Sequence, residues 1–144
     1  LGIHGFDLCR WLTGEEPELV SAVTSHTVHG CEIEDYAFAT LRTPSGIIFH
    51  TEVGYTFPGD GSDDEHKMAA MRGILRETAG GYQLTKAGGR TNIQAPPDYV
   101  GTWKRVIVEC LENLARGEGP PATANDCARA VSLVFEAYAL AGEQ

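Results

Sequence analysis

The chain has 144 residues, 42% hydrophobic and 22% charged, with a net charge of -9 from 11 basic and 20 acidic residues. That length fits a single domain, residues 1–144, able to bury roughly two-thirds of its unfolded surface. The acidic balance excludes a basic stripe for nucleic acid and disfavours an anionic membrane surface. No run approaches the ~18 apolar residues of a membrane span, and the first residues carry no basic signal-peptide region.

Leu1 to Leu12 reads as a short helix with Ile3, Leu8, Trp11 and Leu12 as its apolar stripe, stopped by Thr13-Gly14. Strands are predicted over Leu19–Val28, over Asp35–Arg42 with Tyr36, Phe38 and Thr40 on one face, and over Ile47–Phe57. In the last of these Ile47, Phe49, Val53, Tyr55 and Phe57 oppose His50, Glu52 and Thr56. Thr43-Pro44-Ser45-Gly46 is the hairpin turn between the second and third.

A polar loop, Pro58 to Glu65, leads to short strands near Lys67–Met71, Ile74–Glu77, Tyr82–Lys86 and Thr91–Gln94. Gly80-Gly81 and Gly88-Gly89 mark the turns. Local propensity also allows a helix at Lys67–Met71, but the spacing set by Gly73 and the Gly-Gly pairs favours strand. Two helices close the chain. Tyr99–Arg116 carries Val100, Trp103, Ile107, Cys110, Leu111 and Leu114 at helical spacing. A final helix, with Val131, Val134, Phe135 and Tyr138, follows the capping pair Thr123 and Asp126 and runs to Gly142. Strands followed by helices predict an α+β fold: a largely antiparallel open sheet with helices packed on one face.

Four cysteines, Cys9, Cys31, Cys110 and Cys127, form no C-x-x-C pair and no zinc-finger spacing. They read as reduced, buried thiols of a cytoplasmic protein, with a disulfide as the alternative. His26 and His29 make an H-x-x-H pair whose members face opposite sides of a strand, so no metal site is expected there. The acidic loop of Asp60, Asp63, Asp64 and Glu65 lacks the EF-hand ligand order and reads as solvated. Arg10 has Asp7 or Glu16 as an ion-pair partner, or an oligomer face, and the sequence does not choose.

The segment Gly2-Ile3-His4-Gly5-Phe6-Asp7 stands out. On a helix His4, Asp7, Leu8 and Trp11 share a face. A carboxylate beside an imidazole fixes its tautomer and suits it to take a hydroxyl proton. The pair alone more often marks a histidine that caps or packs in a helix with a solvating Asp. Gly2 through Gly14 resembles the Gly-x-His-x-x-Asp segment of the glucose–fructose oxidoreductase/inositol dehydrogenase (Gfo/Idh/MocA) family, with its Trp and Leu-x-Gly. Leu111 through Pro121 looks like that family's helix ending in a Gly-x-x-Pro link, Asn125 through Ala130 like the start of its last helix, and the Pro44-Ser45-Gly46 hairpin like its second and third strands.

The resemblance implies the C-terminal, substrate-side domain of an oxidoreductase that uses NAD or NADP on a secondary alcohol of a sugar, cyclitol or related polyol. His4 matches the family's catalytic histidine, and Asp7 a motif position read here as orienting or structural. The Asp that many members carry four residues before the histidine would precede Leu1. The family's Glu-Lys-Pro lysine and Gly-rich dinucleotide loop belong to an N-terminal Rossmann domain not in this chain, which is therefore expected to be a fragment, inactive and without bound cofactor. Substrate contacts are expected from Tyr55 to His66. Tyr55 and His66 are the named candidates, against a core role for Tyr55 and a solvated one for His66. The uncovered sheet face is expected to join subunits in a homo-oligomer. Two alternatives stand beside this: an NAD-using glycosidase of the same family, and a non-catalytic assembly or binding domain.

Overall fold

The structure, a computed structural model, describes residues 2–30, 32–56, 66–95 and 98–142. These divide into two compact units, one formed by residues 1–59 and 121–144 and the other by residues 60–120. Both sheets are antiparallel, as expected, but the strands separate into a three-stranded and a four-stranded sheet rather than one.

In the first unit α1 (Gly2–Thr13) is followed by β1 (Glu18–Ser25), β2 (Tyr36–Arg42) and β3 (Ile48–Gly54), in sheet order β1-β2-β3. Gly14 N–H donates to the Arg10 carbonyl at 2.8 Å and closes α1. The β2–β3 turn needs Gly46, whose φ is +88°, and its amide donates to the Thr43 carbonyl. In β1–β3, Ala22 pairs with Ala39 and Ala39 with Thr51; Leu19 pairs with Leu41 and Leu41 with Phe49. These residues face α1 and the last helix (Ala124–Gly142), whose Leu133 completes a core with Phe6, Cys9 and Leu41.

The buried side of α1 corrects the sequence expectation. Phe6 and Cys9 are buried, whereas Trp11 is 78% exposed and Leu12 also faces out. The face carrying Gly2 and Gly5 lies against the sheet, because small residues let the helix backbone come closest there. The aromatic face of β2 points away from the helices. There Phe38 stacks on His50 with centroids 5.6 Å apart, Thr40 Oγ1 meets His50 Nδ1 at 3.1 Å, and the Tyr36 hydroxyl donates to Glu52.

The second unit holds β4 (Lys67–Ala70), β5 (Gly73–Thr78), β6 (Gly81–Lys86), β7 (Gly89–Gln94) and α2 (Tyr99–Arg116), which makes the last helix α3. The strands pair in sequence order through Gly-containing turns. Register puts Met68, Leu75, Leu84, Tyr82 and Ile93 on one face. Asp98 caps α2 by accepting from the Gly101 amide at 2.9 Å. The apolar stripe of α2 is present as the spacing predicts, yet none of its residues is buried, and Leu114 is 73% exposed.

The cysteines divide as well. Cys9 is buried, Cys110 half-buried and Cys127 exposed, all three as free thiols, while Cys31 lies outside the described residues. The expectation of uniformly buried thiols therefore holds for Cys9 and fails for Cys127, which sits on the outer side of α3. No helix among the described residues is long and apolar enough to cross a membrane.

Candidate active site

The position of His4 follows from what lies behind it. A Cβ on Gly5 would stand 2.2 Å from Thr51 Oγ1, and one on Gly2 would stand 3.7 Å from Val53 Cγ2. The first turn of α1 is thus pressed directly on β3, with Phe6 and Cys9 sunk in the core. His4, one residue before Gly5, is carried on the opposite side and is exposed, as are Asp7 and Trp11 at helical spacing from it. The imidazole therefore projects from a turn that has little freedom to shift.

Asp7 does not reach His4 as an ion pair; its carboxylate stands 3.5 Å from Arg10 Nη1. Arg10 is itself almost enclosed, its side chain 11% exposed. Its Nε and Nη2 donate to Glu16 at 3.0 and 2.6 Å, and its Nη1 donates to the Asp126 carbonyl at 3.1 Å. The structure thereby resolves the open choice for Arg10: it binds Glu16 and Asp7 together and ties α1 to the first turn of α3. The Arg10 hydrogen bonds hold the Glu16 carboxyl below the usual range, with Arg129 adding to the effect.

One end of the three-stranded sheet gathers the other polar groups. Ser25, Tyr36 and Gly54 lie side by side there, so the β1–β2 connection and the exit of β3 share a rim. The first turn of α1 runs along β3 toward that same rim, since Gly5 lies at Thr51 and Gly2 nearer the end at Val53. Asp35 organises the connection. Its Oδ2 accepts from the amides of Val28 and His29 at 2.7 and 2.9 Å, while buried Oδ1 has no hydrogen-bond partner among the described residues. The His29 amide, with that of Val28, holds the Asp35 carboxyl below its ordinary range.

Tyr55 leaves β3 at this rim. Its amide donates to the Asp35 carbonyl at 2.8 Å, and its own carbonyl accepts from His29 Nε2 at 2.5 Å. A carbonyl cannot donate, so the His29 proton sits on Nε2. On the far side of the connection the Tyr138 hydroxyl of α3 donates to Glu34 at 2.5 Å. The Tyr55 side chain is 66% exposed, which removes the core role weighed for it.

His4 and Tyr55 thus share one end of the first unit. His66 belongs to the second unit, where its Nδ1 hydrogen-bonds Glu77 Oε2 and its amide donates to the same oxygen at 3.2 Å. Residues 57–65, including the acidic Asp60, Asp63, Asp64 and Glu65, lie outside the described residues. Sequence reasoning missed the linked set His29, Glu34, Asp35 and Tyr138, having weighed His29 only as half of a metal pair. The available signal was Asp35, a carboxylate set at the mouth of a strand after a Gly-containing connection.

The residues present do not fit a dinucleotide. Every strand pairing among the described residues is antiparallel, so these hold no parallel β-α-β unit and no Gly-rich turn from a strand into a helix. Among the described residues no cluster of three His, Cys, Asp or Glu could hold a metal ion.

Known proteins of similar shape share this architecture. An oxidoreductase from Agrobacterium radiobacter, in complex with NAD+, L-tartaric acid and magnesium, matches with a TM-score of 0.84 at 21% identity, over 99% of this chain and 46% of that one. An aldose-aldose oxidoreductase from Caulobacter crescentus complexed with glycerol matches with a TM-score of 0.77 at 23% identity, over 99% of this chain and 44% of that one. A UDP-N-acetylglucosamine 3-dehydrogenase from Acidithiobacillus ferrooxidans matches with a TM-score of 0.79 at 16% identity, over 97% and 45%. The chain spans less than half the length of each, and at these identities the likeness is one of fold. No curated protein matches by sequence. The family model described as the GFO/IDH/MocA C-terminal domain matches residues 1–75, which hold α1, the whole three-stranded sheet and the start of the second. With that match covering more than half of the sequence, the chain belongs to the C-terminal domains of the GFO/IDH/MocA oxidoreductase family.

Proposed function

We propose that this chain is the substrate-side domain of an NAD(P)-dependent oxidoreductase acting on a secondary alcohol of a sugar, cyclitol or related polyol, with His4 as the group that takes the hydroxyl proton. The observation that carries the reading is an exposed imidazole on a helical turn locked to β3 through Gly5 and Thr51. Exposure leaves a ring nitrogen open to substrate, and the lock keeps it at a fixed place. Two of the similar structures are sugar-directed by name and one holds NAD+, which supports the substrate class and the cofactor.

The nicotinamide chemistry lies with the rest of the protein. What this chain supplies is a proton acceptor that, uncharged, can accept from a hydroxyl and return the proton in the reverse direction. Asp7, held by Arg10, supports the helix turn below His4 rather than sharing its proton. The exposed Tyr55 hydroxyl would bond substrate hydroxyls, and His66 is the other candidate for a substrate contact. The outer sheet face with Phe38 and His50 is the candidate for joining subunits of a homo-oligomer.

The test uses the full-length protein with a panel of sugars and polyols, following net nicotinamide reduction. His4→Ala should lower turnover about a hundredfold or more, as loss of a general base does. A His4→Ala enzyme as fast as its parent would end this reading. Glycoside cleavage without net reduction would move the assignment to the glycosidase alternative.

A further inference from the structure

We infer that the described residues of the β1–β2 connection, 26–30 and 32–35, form a pre-built wall beside His4 and that His29 is a positioning residue for Tyr55 within it. This rests on the function proposed above and adds to it a determinant of substrate specificity. The connection reaches the same rim as the first turn of α1 and the exit of β3. Connections of this length ordinarily move, but this one is tied at several points. Asp35 Oδ2 gathers the amides of Val28 and His29, Asp35 N–H returns to the Ser25 carbonyl at 2.9 Å, and Glu34 is bound by Tyr138.

The fourth tie distinguishes a wall from a merely ordered loop. His29 Nε2 reaches across to the Tyr55 carbonyl, and Tyr55 N–H to the Asp35 carbonyl. The backbone of Tyr55 is therefore gripped from both sides by the connection while its side chain stays exposed. Gly54 permits the approach, since a Cβ there would stand 3.2 Å from the Asp35 carbonyl oxygen. A phenol anchored in this way at its backbone is suited to meet a hydroxyl of a polyhydroxylated substrate. Once a substrate covers the phenol, hydrogen-bond selection of this kind discriminates among analogues that lack the matching group.

The experiment measures kcat and KM of the full-length enzyme for polyols that differ in one hydroxyl. His29→Ala should raise KM about tenfold or more for the best substrate with little change in kcat, and should narrow its preference over the others. His29→Gln, whose amide nitrogen can still donate to the Tyr55 carbonyl, should restore KM to within about threefold of the parent. A loop needed only for folding would lower the melting temperature without this split between KM and kcat. If His29→Ala loses its cooperative melt, Tyr138→Phe cuts only the tether to Glu34 and should raise KM in the same direction. Unchanged KM and preference in a folded His29→Ala enzyme, or in Tyr138→Phe where that is the variant read, would overturn the inference. So would a folded His29→Gln no better than Ala. His4→Ala run in parallel separates the two claims: a dead His4→Ala beside a silent His29→Ala removes only the wall.

Discussion

Gly5 is the residue on which the geometry around His4 turns. Its missing side chain is what lets α1 lie on β3, and any Cβ there meets Thr51 at both Oγ1 and Cβ, at 2.2 and 2.8 Å. Gly5→Ala must push the helix outward or twist Thr51 off its rotamer, a cost of about 1–3 kcal/mol. Denaturant melts should show that loss, and Thr51→Gly in the same chain should recover part of it. Recovery in the double variant assigns the effect to the contact, since it opposes the usual penalty of a glycine in a strand. Cys9, one turn further along, shows the converse of His4. It is fully buried, and burial, with Glu15 nearby, pushes its thiol above the ordinary value, which leaves it an inert packing group.

At the scale of elements, charge fixes α1 to α3. Arg10 joins Asp7, Glu16 and Asp126, and Arg129 joins Glu16 and Glu136, so two guanidinium groups share four carboxylates. Asp126 is also held down by the Thr123 hydroxyl and amide at the start of α3, and Glu136 chiefly by Arg129. Carboxyls depressed in the folded state add stability above their unfolded values and lose it as pH falls through the folded ones. The melting temperature should therefore stay level from neutrality down to roughly pH 4.5 and fall below that. Thermal melts across pH 3–7 check this, and a melt that rises on acidification would contradict it. These carboxylates are largely exposed, so each pair is individually weak and added salt should shrink the effect. Much of this level was legible in the sequence. The Gly-Gly turns, the Pro44-Ser45-Gly46 hairpin and the Thr123–Asp126 cap each state local geometry through residues that tolerate little else. The side α1 buries was only partly legible: Phe6 and Cys9 carry a hydropathy signal, but Gly2 and Gly5, which set the helix against β3, carry none. The two-sheet division was also hidden, since strand spacing reports pairing between neighbours and not where a sheet ends. His4 was legible through its motif, but His29 and Asp35 act through backbone groups that only the fold brings near.

For the molecule as a whole, antiparallel pairing throughout the described residues sets the division of labour. The dinucleotide-binding fold sets its phosphate cradle at the turn from a parallel strand to a helix, and the described residues hold no such turn. Calorimetric titration of the chain by itself should therefore show no NAD binding, and a micromolar dissociation constant would contradict that expectation. The first unit is built from both ends of the sequence, with residues 60–120 set between its parts. Leu133 and Ala130, near the end, complete a core begun by Phe6 and Cys9 near the start. On the ribosome, the sheet side bearing Ala22, Ala39 and Leu41 must then emerge without its lid and wait for the last helix to be translated. During that interval the nascent chain presents a greasy surface of the kind that chaperones shield from aggregation.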